Sequence, residues 1–410
     1  MKDNTTEFVF TACCLPYGIF SEKGLDRFRI GVAYMDRIID LHKMSQLGLF
    51  DDVDIEHKFF SQDTLNDFMN QGKAKTNSVR KKLQWFLTNS DPIFAKNFEK
   101  ITLKRSDCKL KMPVRVGDYV DFYSSEFHAI NVGKLFRSAE NALMPNWKHL
   151  PVGYHGRASS IVISGEKIHR PSGQIYNSSI HRPEFRPTEK LDFELEIGMV
   201  IGRQSNLNQP ISIHNADDHI FGFVLFNDWS ARDIQSWEYR PLGPFLGKSF
   251  ISSISPWVVP LEALKPYKIR GPVQSPAVLD YLKSDDQLYF DIELEVWLRT
   301  SSGHEEKIVT SNTKHLYWSF GQQLAHYTSN GCHVRSGDIL ATGTISGPER
   351  NNQGCMLEIS ENGKYPLFLS NGESRSFLQD GDSIVFKGRA GMGDDQVFFG
   401  ELENTIKNSL

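Results

Sequence analysis

Leu191-Asp192-Phe193-Glu194-Leu195-Glu196-Ile197-Gly198 alternates apolar and acidic residues with a period of two, the pattern of a β-strand. Successive side chains of a strand point to opposite sides. Phe193, Leu195 and Ile197 therefore share one face, and Asp192, Glu194 and Glu196 share the other. Glu194 and Glu196 become neighbours whose charges repel, and a bound cation is one good reason to hold them together. The plain alternative is a half-exposed strand with a solvated acidic face. Asp291-Ile292-Glu293-Leu294-Glu295-Val296 repeats the pattern, so alternation alone does not separate the two readings.

Flanking segments add candidates. The longest apolar run, Ile220 to Phe226, leads into Asn227-Asp228-Trp229-Ser230-Ala231-Arg232-Asp233, which puts polar residues at the end of a buried strand, a good place for a site. Gly117-Asp118-Tyr119-Val120 leads into Asp121-Phe122-Tyr123-Ser124-Ser125 and sets another acid at a strand end. Asp121, Glu194, Glu196 and Asp228 form an all-oxygen ligand set, which suits Ca²⁺, Mg²⁺ or Mn²⁺ and disfavours Zn²⁺ or Cu²⁺. The ordinary alternatives are a turn cap for Asp228 and a strand-end acid for Asp121. The chain has no HExxH, EF-hand loop, GxSxG, Walker A loop or convincing GxGxxG, so serine-nucleophile and nucleotide readings have no motif behind them.

Arg29–Tyr34 and Arg37–Leu41 flank Met35-Asp36 and predict a hairpin. Leu65, Phe68 and Met69 after Asp63, and Val79, Leu83, Phe86 and Leu87 after Ser78, recur at helical spacing. Beyond Pro113 short β-rich runs with Gly and Pro dominate. A boundary near residues 110–118 divides a small N-terminal α+β module, 1–113, from a mostly β C-terminal part, 114–410. Gly117-Asp118, Gly337-Asp338 and Gly381-Asp382 each read as a tight turn launching a strand, with Gly at positive φ and Asp capping its own backbone. One later helix is expected over Tyr317–Ser329. No repeat or low-complexity segment is seen.

The 410 residues suffice for roughly two or three domains of about 150 residues. At 40% hydrophobic and 23% charged, the composition is that of a soluble globular protein. With 46 Lys plus Arg against 50 Asp plus Glu, the net charge of −4 argues against a general nucleic-acid binder, and no polybasic run suggests membrane attachment. Cys13, Cys14, Cys108, Cys332 and Cys355 are odd in number and lack CxxC spacing, which argues for reduced thiols. Met1–Glu7 is polar, and Phe8–Pro16 is too short and broken for a signal peptide. No apolar run is long enough to span a bilayer, and the cytoplasm is the expected compartment.

Longer strings carry a resemblance. They are Asp121–Ser125 with His128-Ala129 and Asn131-Val132-Gly133; Asn141–Trp147; and Leu150–Ser160. Asn227–Gln235 with Trp237-Glu238-Tyr239, Pro241–Phe250, and Gly343-Thr344-Ile345-Ser346-Gly347 continue the series. In this order they resemble the fumarylacetoacetase family, as does the opening Leu15-Pro16-Tyr17-Gly18-Ile19-Phe20. The resemblance covers essentially the whole chain. It implies an α+β, mostly β fold with a small SH3-like N-terminal barrel plus helices, then a larger C-terminal β-roll, in a homodimer. It also implies hydrolysis of a small diketo acid, 4-fumarylacetoacetate, to fumarate and acetoacetate, the last step of tyrosine degradation.

By the same resemblance, Asp121, Glu194, Glu196 and Asp228 hold the catalytic cation, usually Ca²⁺. His128 is the general base and Glu358 orients it, the logic of a triad with water as nucleophile. Arg232, Gln235 and Lys248 stabilise negative charge on oxygen. Tyr123, Arg137, Gln235, Tyr239 and Thr344 contact substrate, where the Arg137 fork suits a carboxylate. A structural Mg²⁺ would lie near Asp228, Lys248 and Ser252, although Ser252 stands where the family has Thr. The acids of Asp291–Val296 match no functional position and read as a solvated face.

Plainer readings stand beside these: a salt bridge from Arg232 to Asp233 or Glu238, a solvated Lys248, core tyrosines, and a packed or surface His128 with His155 as its nearest rival. Competing functions are a related diketo-acid hydrolase or decarboxylase, and a non-catalytic metal-binding scaffold.

Overall fold

The computed structural model describes residues 9–89 and 91–410. Met1–Glu7 and Phe8, at the head of the apolar segment, lie outside the described residues. The fold is mixed and mostly β, and three sheets organise it.

The central sheet has eight strands. Its spatial order is Gly153–His155, Tyr119–Phe122, Ile339–Ala341, Leu195–Ile201, Ile220–Asn227, Ser252–Ile254 and Ile161–Ile163, with Val259–Pro260 also paired to Ile220–Asn227. The strand Ile220–Asn227 is buried along its whole length, as its unbroken apolar run requires of a strand covered on both faces. A second, five-stranded sheet contains Glu293–Arg299, Ser383–Ala390 and the long strand Val397–Lys407. The two share one core. Ile197, Phe223 and Leu225 join Leu294, Phe386 and Phe399, and the rings of Phe193 and Phe386 meet edge to face at 5.8 Å.

The N-terminal part forms a five-stranded antiparallel sheet in the order Thr102–Lys104, Arg37–Asp40, Arg29–Tyr34, Tyr17–Glu22, Cys108–Lys111. The hairpin falls where expected, with Tyr34 paired to Arg37 and Met35 at φ 50° in the turn. Two helical patterns become Asn66–Met69 and Lys73–Thr88, the second starting earlier than its apolar stripe. This sheet is not separate from the central one. Tyr17 bridges to Val258, and Ile19, Ile30 and Phe68 bury against Val224, Phe226 and Ile339.

Four expectations are modified. The strand at Leu191–Gly198 breaks into Leu191–Asp192 and Leu195–Ile201, where the Glu194 amide donates to the Asn227 side chain (3.0 Å) instead of a backbone carbonyl of the neighbouring strand. The three Gly-Asp turns do launch strands, and Gly337 and Gly381 have φ of 94° and 88°. Gly117 is different: it is needed for close approach, since a Cβ there would sit 2.7 Å from Asp338 Oδ1. The acids cap neighbouring amides rather than their own, Asp338 those of Arg335 and Asp118, and Asp382 that of Gln379. The helix expected from Tyr317 begins at Phe320, where Ser319 and Gln322 form a capping box. Finally, the acids of Asp291–Val296 are not one solvated face. Asp291 is exposed, but Glu295 is buried, accepting from Lys307 (3.0 Å) and Trp297 (2.8 Å).

Candidate active site

Strand order in the central sheet gathers the acids. Tyr119–Phe122 runs parallel to Ile339–Ala341 with Asp121 opposite Ala341, and Ile339–Ala341 pairs with Leu195–Ile201. Leu195 in turn lies opposite Asn227, so Glu194, Glu196 and Asp228 meet at one end of adjacent strands. One carboxylate oxygen from each of Asp121, Glu194, Glu196 and Asp228 lies within 4.8 Å of the other three, and all four residues are buried.

Their partners are uneven. Both oxygens of Glu194 are taken, by Arg232 Nη1 (2.7 Å) and Lys248 Nζ (2.5 Å). Asp228 accepts from Ser252 Oγ (3.0 Å), Lys248 Nζ (2.7 Å) and Tyr154 O–H (2.8 Å). Asp121 Oδ2 accepts from Tyr119 (3.2 Å) and Glu196 Oε2 from the Gly343 amide (3.0 Å). Asp121 Oδ1 and Glu196 Oε1 are buried with no hydrogen-bond partner.

Such orphaned oxygens are costly. Burial, then the charge of Asp228, drives the Asp121 carboxyl well above its ordinary pKa; burial, then Asp121, does the same to Glu196. Burial would raise Glu194 too, but Lys248, Arg232 and His128 outweigh it and hold it at about 2. Two unsatisfied hard oxygens within a cluster that its cations do not neutralise fit a divalent cation of the Ca²⁺ or Mg²⁺ type.

His128 lies in the helix Glu126–Phe136, whose first turn is fixed by Ser125 accepting from the His128 amide. Its Nδ1 is 2.7 Å from Glu358 Oε2, across 230 residues of sequence. Glu358 also accepts from Ser346 Oγ (2.7 Å), Asn131 Nδ2 (2.9 Å) and Cys355 Sγ (3.3 Å). Burial would raise the Glu358 pKa, but His128 foremost, then Asn131 and Ser346, bring it below the usual range. His128, Cys355 and Glu358 lie close enough to hold a metal, yet Glu358 is already satisfied, unlike Asp121 and Glu196. This cluster has the character of a hydrogen-bonded network. His155, the rival base, is exposed and packs against Tyr327.

Arg232 and Gln235 share the helix Arg232–Glu238, and Lys248 lies in Leu246–Ser249. Arg232 pairs with Asp192 and Glu194 rather than with Asp233 or Glu238, and Lys248 is buried rather than solvated. Gln235 accepts from Arg232 Nη1 at 3.3 Å. Arg232 Nη2 and Thr344 Oγ1 are buried without partners. The Tyr123 ring meets His128 edge to face at 5.1 Å. Two expected substrate contacts are exposed: Arg137 donates to the carbonyls of Asn141 and Ala142, and Tyr239 is 37% exposed.

Sequence reasoning assigned no role to Tyr119, Tyr154, Asp192, Asn131, Gly343, Ser346 or Cys355. Tyr154, Asn131, Gly343 and Ser346 lie within the strings that carry the resemblance. Tyr119 and Cys355 act on acids two and three residues away, Asp121 and Glu358, whereas Asp192 acts across 40 residues to Arg232 and 164 to Met356, which no local pattern marks.

Two family models match the chain: fumarylacetoacetase N-terminal over residues 14–113, and fumarylacetoacetate (FAA) hydrolase C-terminal over residues 119–407. A fumarylacetoacetase of Dictyostelium discoideum is 49% identical over 400 residues, spanning 96% of this chain and 94% of its own. The fumarylacetoacetase of Homo sapiens is 46% identical over 400 residues, spanning 97% and 96%. Among solved structures, a fumarylacetoacetate hydrolase from psychrophilic Exiguobacterium antarcticum superposes with a TM-score of 0.54 at 20% identity, over 96% of this chain and 99% of that one. That last likeness speaks for the fold alone.

Proposed function

The chain belongs to the fumarylacetoacetase family, and on that premise we propose that it hydrolyses the carbon–carbon bond of fumarylacetoacetate to give fumarate and acetoacetate. The relatives' names supply the activity. The structural observation that carries it is the under-neutralised carboxylate cluster, with two buried oxygens that lack partners, in a fold that also pairs His128 with Glu358.

Asp121, Glu194, Glu196 and Asp228 would hold one divalent cation, Ca²⁺ by the family resemblance, with Mg²⁺ as the alternative. When bound it would supply Lewis acidity toward the diketone and charge stabilisation for the enolate that leaves. Glu358 fixes the imidazole through Nδ1, so Nε2 takes the proton from the attacking water. The water oxygen bonds to the carbonyl carbon, the carbon–carbon bond breaks, and the Nε2 proton passes to the departing carbon. Arg232 Nη2, a buried donor without a partner, serves the developing oxyanion, with Lys248 and Gln235 beside it. Tyr123, Thr344, Arg137 and Tyr239 would contact substrate, with Arg137 close enough for its charge to act on Tyr123.

A separate structural Mg²⁺ at Asp228, Lys248 and Ser252 fits less well. Lys248 brings its own positive charge to Asp228 there, and it is a cation rather than a ligand in its protonated form.

We read residues 1–113 as the SH3-like module and 114–410 as the β-roll domain, a division supported by the five-stranded N-terminal sheet. A homodimer is supported by an apolar surface around the hairpin of Ser172–Asn177 and Arg182–Pro187. There Phe185 is 76% exposed and Tyr176 stacks on Trp237 at 4.8 Å. Cytoplasmic residence is supported by five free cysteines. Among the described residues no helix is long and apolar enough to cross a membrane.

The test is product analysis with fumarylacetoacetate. Fumarate and acetoacetate in equal amounts are expected. Carbon dioxide release from a keto acid would indicate a decarboxylase, and metal binding without turnover of any diketo acid would indicate a scaffold.

A further inference from the structure

Asp192 opens the acidic pattern that contains Glu194 and Glu196, yet it is not part of the cation cluster. It is fully buried and lies just before the break in its strand. Its Oδ2 accepts from Arg232 Nε at 2.8 Å and from the Leu357 amide at 2.9 Å, and its Oδ1 accepts from the Met356 amide at 2.6 Å. Met356 and Leu357 begin the short helix Met356–Ile359 that carries Glu358, and Cys355, before it, caps no amide with its side chain. One carboxylate thus joins the segment that holds the imidazole to the guanidinium offered to the oxyanion.

We propose that Asp192 is a positioning residue that sets Arg232 and Glu358 in register, so that the base and the oxyanion donor act on one substrate carbonyl. The inference rests on the reading of His128, Glu358 and Arg232 given above. The three hydrogen bonds constrain both partners. Nε and Nη1 of Arg232 are held by Asp192 and Glu194, which leaves Nη2 as the free donor with its direction fixed. The Met356 and Leu357 amides are held directly before Glu358, which leaves its carboxylate little freedom to drift from His128 Nδ1. An Asn side chain has nearly the same shape but only one acceptor oxygen, and its NH₂ would face N–H donors. It cannot serve Arg232 and both amides at once. A misplacement of the order of 1 Å between base and donor costs about 10²-fold in rate.

The experiment starts from the metal-loaded wild-type enzyme and fumarylacetoacetate, and no turnover there would count against the functional reading itself. Asp192→Asn is expected to lower kcat about 10²-fold with KM changed less than about threefold. The Ca²⁺ titration followed by protein fluorescence should stay within about threefold of wild type. In an Arg232→Ala background the same substitution should cost less than about tenfold, because one of the two positioned partners is already gone. Equal losses in both backgrounds, or a parallel fall in kcat, Ca²⁺ affinity and thermal stability, would overturn the proposal in favour of a merely structural carboxylate. If Asp192→Asn does not fold, amide exchange in Arg232→Ala decides. Faster exchange over Met356–Ile359 than in wild type supports the link, and unchanged exchange there overturns it. This measurement needs no turnover and is independent of the functional reading.

Discussion

His128 Nδ1 is committed to Glu358, and the two residues act as a unit. His128→Ala should lower kcat by about 10²- to 10⁴-fold, the usual contribution of a positioned acid–base group, with Ca²⁺ binding retained. Equal loss of Ca²⁺ affinity would place the histidine among the ligands instead. Lys248 has a different task. It bridges Glu194 and Asp228 with its charge buried, and those two acids raise its pKa against the effect of burial. Lys248→Met would strand two carboxylates, and breaking a buried pair in this way costs about 3–5 kcal/mol. Denaturant unfolding of the metal-free variant should show a loss of that order. Much of this chemistry is legible in the residues. Alternation set Glu194 beside Glu196, and oxygen donors pointed to a hard cation. Alternation left Asp291–Val296 undecided, and the lack of a matching family position misjudged Glu295 as solvated, because Lys307 on a neighbouring strand could not be read from the segment itself. Asp192 likewise leaves the acidic face only because the chain breaks at Glu194 and Arg232 lies within reach.

Elements deliver these residues, and two glycine and serine positions show how. Gly343 has φ 77°, its amide holds Glu196, and a Cβ there would lie 2.1 Å from the Phe122 carbonyl oxygen. Gly343→Ala should shift the loop between the strands of Asp121 and Glu196 and weaken Ca²⁺ affinity at least about tenfold, a coupling energy of roughly 1.4 kcal/mol. Calorimetric titration measures it, and unchanged affinity would mean the loop does not set the cluster. Ser319→Ala removes a helix cap that bonds none of the four acids and should cost about 1 kcal/mol of stability with kcat unchanged. The Ser-x-x-Gln signal for that cap stands in the sequence, yet apolar spacing alone drew the helix start to Tyr317. Strand existence and type read well because apolar runs and Gly-Asp turns are local. The pairing of Tyr119–Phe122 with Ile339–Ala341 is not local, and the site depends on it.

At the scale of the whole molecule the acid cluster links metal, proton and stability. Asp121 and Glu196 have pKa values raised above their ordinary range by burial, then by Asp228 for Asp121 and by Asp121 for Glu196, so through these two groups the metal-free folded state binds more protons than the unfolded chain. Stability from this source is present below the unfolded carboxylate range, near pH 4, and is lost as pH rises through the raised values. A divalent cation reverses the balance by favouring the ionised cluster. Added Ca²⁺ should therefore raise Tm more at about pH 8 than at about pH 5, as thermal unfolding would show; a Ca²⁺ effect that shrinks with pH would contradict the ligand set. The joining of the N-terminal sheet to the central one through Tyr17, Val258 and a common core was not visible in composition, which marked only a change of texture near Pro113.

The most direct test of the central claim is to strip the purified protein with chelator and follow the diketone absorbance of fumarylacetoacetate with and without added Ca²⁺ or Mg²⁺. Turnover that vanishes on stripping and returns with the cation, yielding fumarate and acetoacetate, is the predicted result. Turnover at full rate without metal, or none with any metal while the protein remains folded, would contradict it.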